Sequence, residues 1–226
     1  ERPETVFLVG CPSVDSLVGV TQKSKEELFF SEELDPKVKP AGQKPLDPKE
    51  PFLLFIQHPV TTEFEDSYRQ IQESLAAIKE LDMQTIMMWP NADAGSDLMV
   101  KGIRQFQLRT PLPKLYAYKR LRGETFINLM RQTDCFITNS SSGPSEACYF
   151  GTPVVNIGTR QNGRERGKNL IDVGYSKDEI VAAVRRQLAH GKYEPEYLYG
   201  TPPVAKKMAE ILATVDLTAI QKKITY

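Results

Sequence analysis

Four polar runs carry the side chains best suited to chemistry. They are Gln57-His58-Pro59-Val60-Thr61-Thr62, Pro90-Asn91-Ala92-Asp93-Ala94-Gly95-Ser96, Asn139-Ser140-Ser141-Ser142-Gly143-Pro144-Ser145-Glu146 and Gly158-Thr159-Arg160-Gln161-Asn162-Gly163-Arg164-Glu165-Arg166-Gly167. In the third run, Ser140, Ser141 and Ser142 precede a helical segment. Hydroxyls and free backbone N–H groups would then meet at the positive end of a helix, a setting that suits a phosphate dianion. Gly143 would let the backbone approach a ligand closely, and Pro144 fits a first helical turn, where its missing N–H costs nothing. Glu146 would repel a phosphate, so it is expected a short way off, accepting hydrogen bonds from ribose hydroxyls. The same run also reads as an ordinary capped turn. Arg160, Arg164 and Arg166 favour the anion reading, since guanidinium groups are the usual partners of phosphate. A solvated basic loop is the competing reading for Arg164 and Arg166.

His58 follows an apolar run and precedes a proline. A ring titrating near neutrality could give a proton to a leaving oxygen or stabilise charge on a diphosphate. Asn91 and Asp93 could orient a sugar, and Asp93 could equally cap a helix starting near Ser96. His190 reads as a surface residue closing a helix, and Trp89, the one tryptophan, as core. No HExxH, GxSxG, Walker A or GxGxxG pattern occurs, so protease, serine esterase, P-loop and dinucleotide readings have no support.

These runs need a scaffold that brings them together. Short apolar segments at residues 5–9, 52–57, 85–89, 114–118, 135–138 and 153–157 are bounded by Pro, Gly, Asn or Asp, as buried strands should be. Between them, Tyr68, Ile71, Leu75 and Ile78 recur at helical spacing, as do Leu98, Ile103 and Phe106, then Phe126, Leu129 and Met130. Ile180, Val184 and Leu188 repeat the stripe, opened by Ser176 and Glu179 at capping-box spacing. This alternation predicts an α/β fold: a Rossmann-like, mostly parallel sheet flanked by helices. Ligands of open α/β sheets bind outside the carboxyl ends of the strands, and the polar runs follow the strands at that edge. Residues 31–51 break the rhythm with five prolines among charged residues, and read as an exposed loop within a single domain, 1–226. A last helix is expected over residues 203–215.

Composition narrows the partners. Lys+Arg and Asp+Glu both number 29, so no net field argues for nucleic acid or an anionic membrane. Three distant cysteines without CxxC spacing argue against a disulfide framework or a zinc site and fit a reducing compartment. No apolar run reaches the roughly 20 residues of a membrane helix. A soluble, cytoplasmic protein is expected.

Taken with Gly10-Cys11-Pro12-Ser13 and Gly151-Thr152-Pro153, the four runs resemble the C-terminal half of the hydrolysing UDP-N-acetylglucosamine 2-epimerases. The matching stretches occur in order over nearly the whole chain, and His-Pro-Val-Thr-Thr and Arg-Gln-x-Gly-Arg-Glu resemble the hydrolysing branch more than the non-hydrolysing one. The resemblance implies a glycosyltransferase-B type of fold, in which this chain is the second, UDP-binding half and begins at its first strand. It implies Ser140, Ser141, Ser142 and Gly143 on the diphosphate, Glu146 on the ribose, and Arg160 on phosphates or sugar. The backbone near Leu121 would meet the uracil, with Gln161 and Arg164 in the same binding loop and His58 and Asn91 close to the scissile bond. The implied reaction is anti elimination of UDP to a glycal, then addition of water to give N-acetylmannosamine, with no metal or redox cofactor. Acid–base carboxylates would come from an N-terminal half outside this chain, onto which the last helix would cross back, and homo-oligomers are common in the family. Related sugar-nucleotide enzymes and a noncatalytic nucleotide-sugar module are the competing readings.

Overall fold

The computed structural model describes residues 5–34 and 42–215. In chain order its elements are α1 (Ser13–Gly19), α2 (Lys25–Phe29), β1 (Phe52–Ile56), a 3₁₀ stretch (Thr61–Asp66), α3 (Ser67–Leu81), β2 (Gln84–Met88), α4 (Ser96–Arg109), β3 (Leu115–Tyr118), α5 (Gly123–Gln132), β4 (Cys135–Thr138), α6 (Glu146–Tyr149), β5 (Val154–Ile157), β6 (Leu170–Val173), α7 (Lys177–His190) and α8 (Val204–Thr214). The chain separates into two compact units, one of residues 20–198 and one of residues 1–19 with 199–226.

The larger unit is built on a six-stranded, all-parallel sheet in the order β3-β2-β1-β4-β5-β6. β1 lies inside the sheet, Leu54 facing Ile86 on one side and Phe136 on the other, and every one of its residues is buried. Burial on both faces is why Phe52-Leu53-Leu54-Phe55-Ile56 is apolar throughout rather than alternating. Successive side chains leave a strand on opposite faces. Leu53 and Phe55 join Ile71, Leu75 and Ile78 of α3 and Ile180 and Val184 of α7 in one core. Phe52 stacks edge-on against Phe29, and Phe136 against Phe126 of α5.

The smaller unit is stapled by one carboxylate. Asp15 of α1 accepts from the backbone N–H groups of Val204 and Ala205 at 2.8 and 2.7 Å, supplying the N-terminal cap that Pro203 cannot give α8. Gly10 turns at φ 97°, where a Cβ would lie 2.9 Å from the Tyr199 carbonyl oxygen. α8 buries only Val204, and Leu212 on it is 69% exposed.

Five of the six expected strands form, and residues 5–9 do not. Among the described residues this run pairs with no strand, and Val6, Phe7 and Leu8 are all exposed. An apolar run becomes a strand only where a neighbouring edge accepts its backbone, which a local pattern cannot report. The reverse holds for β6, a short edge strand with no fully buried residue, where alternation is too weak to see. The loop reading of residues 31–51 needs correcting where they are described. Leu34 and Leu46 are buried, and Asp47 exchanges hydrogen bonds with the Gln84 side chain. Residues 35–41, and the tail beyond 215, lie outside the described residues.

Two local readings are also revised. Ser176 makes no side-chain cap. Glu179 accepts from Gly174 N instead, while Glu73 of α3 satisfies the N–H of Lys177. After β4 the chain runs through tight turns, and α6 begins only at Glu146, so Pro144 precedes the helix rather than opening it.

Candidate functional site

Because all six strands are parallel, the loops after each one emerge at the same edge. At β1 and β4 the strand order reverses, and the connections leave toward opposite faces, opening a crevice between the two following loops. The floor of that crevice is Asn139, fully buried at the end of β4. Its Oδ1 accepts from His58 N at 2.7 Å and its Nδ2 donates to His58 O at 2.7 Å, so one amide holds both backbone groups of His58. Gln161 Nε2 and the Arg160 guanidinium donate to the Asn139 carbonyl from the β5 side, at 2.8 and 3.3 Å. Three loops are thereby sewn together.

Two cavities flank this seam. One, of about 470 Å³, is lined by Ile56, His58, Trp89, Asn91, Leu121 and Phe126 together with Lys119, Arg120, Ser140 and Ser142. The other, of about 550 Å³, lies between residues 59–63, Asp93, Thr159 and Arg160. The first couples an apolar, aromatic wall to hydroxyls and cations, a combination suited to a base or ring joined to an anion. The second is walled by hydroxyls and charged groups.

His58 is 7% exposed. Its Nδ1 accepts from Asn91 N at 3.1 Å, which puts the proton of the neutral ring on Nε2. Burial, with the Arg160 guanidinium nearby, pulls its pKa from 6.5 to about 4, the Asp93 carboxylate offsetting only part of this. The expectation of near-neutral titration is corrected accordingly. At neutral pH His58 offers an N–H donor, not an imidazolium proton. A lowered pKa means that the unfolded chain takes up a proton near pH 6.5 while the folded one waits until about pH 4. Stability should therefore rise with pH across that window and level off above it, by about 3 kcal/mol from this residue. Urea unfolding of the chain and of His58→Gln at several pH values checks this; parallel curves would refute it.

The residues expected from the sequence are not all brought together. Ser140, Ser142, Leu121, Asn91 and His58 share the smaller cavity, and Arg160 lines the larger. Asp93 caps no helix; its carboxylate faces Arg160 at 3.7 Å, and Gly95 occupies the cap position of α4. Ser141 and Glu146 are half-buried and line neither cavity, and Arg164 is exposed. Gly143 is buried, and a Cβ there would come within 2.9 Å of Thr138 Cγ2 and 3.3 Å of Val154 Cγ1, so its smallness serves packing. Gln161, 3% exposed, acts on the Asn139 carbonyl rather than on open space. Trp89 packs half-buried against the core, as expected, and also lines the smaller cavity, under the Arg104 guanidinium. Lys119 and Arg120, which follow β3 at the strand-end edge, and Phe126, which the sequence places only on a helix stripe, line the smaller cavity as well.

Among the described residues, no three His, Cys, Asp or Glu side chains are gathered as a metal site would require, and no helix is long and apolar enough to cross a membrane.

A doubly wound sheet with its crevice at the strand-order reversal defines the larger unit as a Rossmann-like domain, and the solved structures it resembles have the glycosyltransferase-B-like fold. The model of the UDP-N-acetylglucosamine 2-epimerase family matches residues 1–213, and the chain belongs to that family. It is 30% identical over 217 residues to the UDP-N,N'-diacetylbacillosamine 2-epimerase (hydrolyzing) of Legionella pneumophila, covering 96% of this chain and 54% of that protein. It is 26% identical over 215 residues to the UDP-N-acetylglucosamine 2-epimerase of Neisseria meningitidis, covering 94% of this chain and 52% of that one. The fold matches the UDP-GlcNAc 2-epimerase of Methanocaldococcus jannaschii, solved in complex with UDP-GlcNAc and UDP, with a TM-score of 0.69 at 15% identity over 95% of this chain and 56% of that one. The chain thus spans about half the length of the curated relatives it matches.

Proposed function

We propose that this chain is the UDP-binding half of a hydrolysing UDP-N-acetylglucosamine 2-epimerase. The observation that carries the reading is the meeting of His58, Asn91, Ser140 and Ser142 on one cavity at the β1/β4 crossover, which Trp89, Leu121 and Phe126 also line. In this reading the uracil lies against Leu121 and Phe126, and the diphosphate crosses the seam above Asn139. Arg160 and the His58 Nε2–H face the phosphates, and Glu146 serves the ribose from the start of α6. His58 then stabilises charge on departing UDP as a neutral donor, which a buried ring with a low pKa does without first acquiring a proton. The carbanion-side chemistry, removal and return of the proton at C2, needs carboxylates that the partner half supplies. Elimination gives a glycal, water adds to it, and N-acetylmannosamine and UDP leave, without metal or redox cofactor.

The chain alone is expected to bind UDP weakly, more tightly than CDP or GDP, and to release no N-acetylmannosamine. Calorimetric titration with the three nucleotides, and product assay with and without an added N-terminal half, test this. Equal affinity for all three would remove the uridine site, and turnover by the chain alone would remove the need for a partner half.

The Legionella relative favours a second reading in the same fold, an epimerase of a diacetamido UDP-sugar. Offering the completed protein UDP-N-acetylglucosamine and UDP-N,N'-diacetylbacillosamine side by side separates the two.

A further inference from the structure

The 3₁₀ stretch after β1 is kinked at Glu63, whose backbone leaves helical values at φ −128° and ψ 23°. Its half-buried side chain reaches a junction of three elements. Oε1 accepts from the Thr159 hydroxyl of the β5–β6 loop. Oε2 accepts from Gln70 Nε2 of α3 at 2.8 Å and from the Tyr175 hydroxyl, between β6 and α7, at 2.7 Å. The Tyr175 ring is itself wedged under that loop, for a Cβ at Gly158 would fall within 2.2 to 2.5 Å of two ring carbons and the hydroxyl oxygen. Both sides of Thr159-Arg160 are thus held, one by the ring beneath Gly158 and the other by Gln161 on the Asn139 carbonyl.

Glu63 also lines the larger cavity, next to Thr159 and Arg160. The Thr159 hydrogen bond foremost, with those from Tyr175 and Gln70, keeps its carboxyl below the ordinary carboxylate value, so it is ionised at neutral pH and accepts all three donors. Charge-assisted bonds of this kind are roughly twice as strong as neutral ones. Arg160, by contrast, has among the described residues only a 3.3 Å bond to Asn139 O and a 3.7 Å approach to Asp93 to fix its head group. Its placement therefore depends on how firmly the backbone beneath it is anchored.

We infer that Glu63 is a positioning residue for the diphosphate: it clamps the β5–β6 loop so that Arg160 is held over the β1/β4 seam. The inference rests on the nucleotide reading above. It makes a distinctive demand, that loss of the clamp be felt by the phosphates and not by the nucleoside.

The test is a set of titrations of the chain with UDP and with uridine, the latter followed by ligand-observed NMR. Glu63→Gln keeps the shape and removes the charge. It should weaken UDP binding about tenfold, within the range by which residues touching neither ligand modulate coupling, and leave uridine affinity unchanged. Tyr175→Phe, which removes one donor, should weaken UDP binding about threefold on the same scale. On an Arg160→Ala background, Glu63→Gln should have no further effect, because the residue it acts through is gone. Equal losses for UDP and uridine would mean a merely structural role and overturn the inference, as would full additivity with Arg160→Ala or undiminished UDP affinity. Failure of the unaltered chain to bind UDP would instead sink the nucleotide reading, and the clamp with it.

Discussion

Replacing His58 with alanine in the protein completed by its partner half should lower turnover by about 10²–10³-fold while UDP affinity changes only a few-fold, the loss typical of removing one preorganised donor from a developing anion. The split follows from geometry. Asn91 N fills Nδ1, and burial keeps the ring neutral, so its one free function is the Nε2–H. A donor of fixed direction contributes most when charge on the leaving diphosphate is greatest, and less to bound UDP, which Ser140, Ser142 and Arg160 also hold in the proposed complex. His58→Gln, able to donate from a similar distance, should recover part of the rate. Steady-state kinetics beside UDP titration decide the matter. Parallel losses in both would make His58 a binding residue, and undiminished turnover would remove it from the chemistry.

Asn139→Ala should be the most damaging single change at the seam. It strips partners from both His58 backbone groups in a position with no access to solvent. Each buried group left unsatisfied costs about 1–3 kcal/mol, so a loss near 4 kcal/mol is expected. In a chain of this size that lowers the melting temperature by roughly 10 °C. Asn139→Asp should be little better, because the oxygen replacing Nδ2 would face the His58 carbonyl. Thermal unfolding followed by circular dichroism checks both; a melting temperature within 2–3 °C of the parent, on the same scale, would show that the loops are held by something else.

Asn139 also shows where sequence reading stops. The strand before it was legible, because four consecutive buried residues leave an unmistakable apolar run, and so was the edge at which its loop must lie. That the asparagine itself is the keystone was not, since its partners are backbone atoms 81 residues away, and any residue can supply a backbone. Gln161 was expected in the binding loop, but its partner, the Asn139 carbonyl, was hidden for the same reason. Helices α3, α4, α5 and α7 were readable from their stripes, because each buries one face against the sheet. The Ser176–Glu179 spacing misled, because Glu73 and Gly174 offered better partners than the local pair, and tertiary contacts outrank a four-residue pattern. Burial of Leu34 and Leu46 was hidden by the prolines and charges around them. The low pKa of His58 could not be read at all, for it depends on what surrounds the ring rather than on what flanks it.

The segment around Leu46 has a consequence for how the protein behaves in crowded solution. An outermost strand normally leaves a row of unsatisfied amides, an invitation for other chains to dock and assemble into aggregates. At the start of β3 that invitation is withdrawn. Lys44 N donates to the Pro113 carbonyl just before the strand, Gln43 Nε2 to the Leu115 carbonyl, and the Tyr116 hydroxyl to the Lys44 carbonyl. A stretch poor in apolar residues, and unremarkable by composition, thereby acts as a bumper along one flank of the sheet.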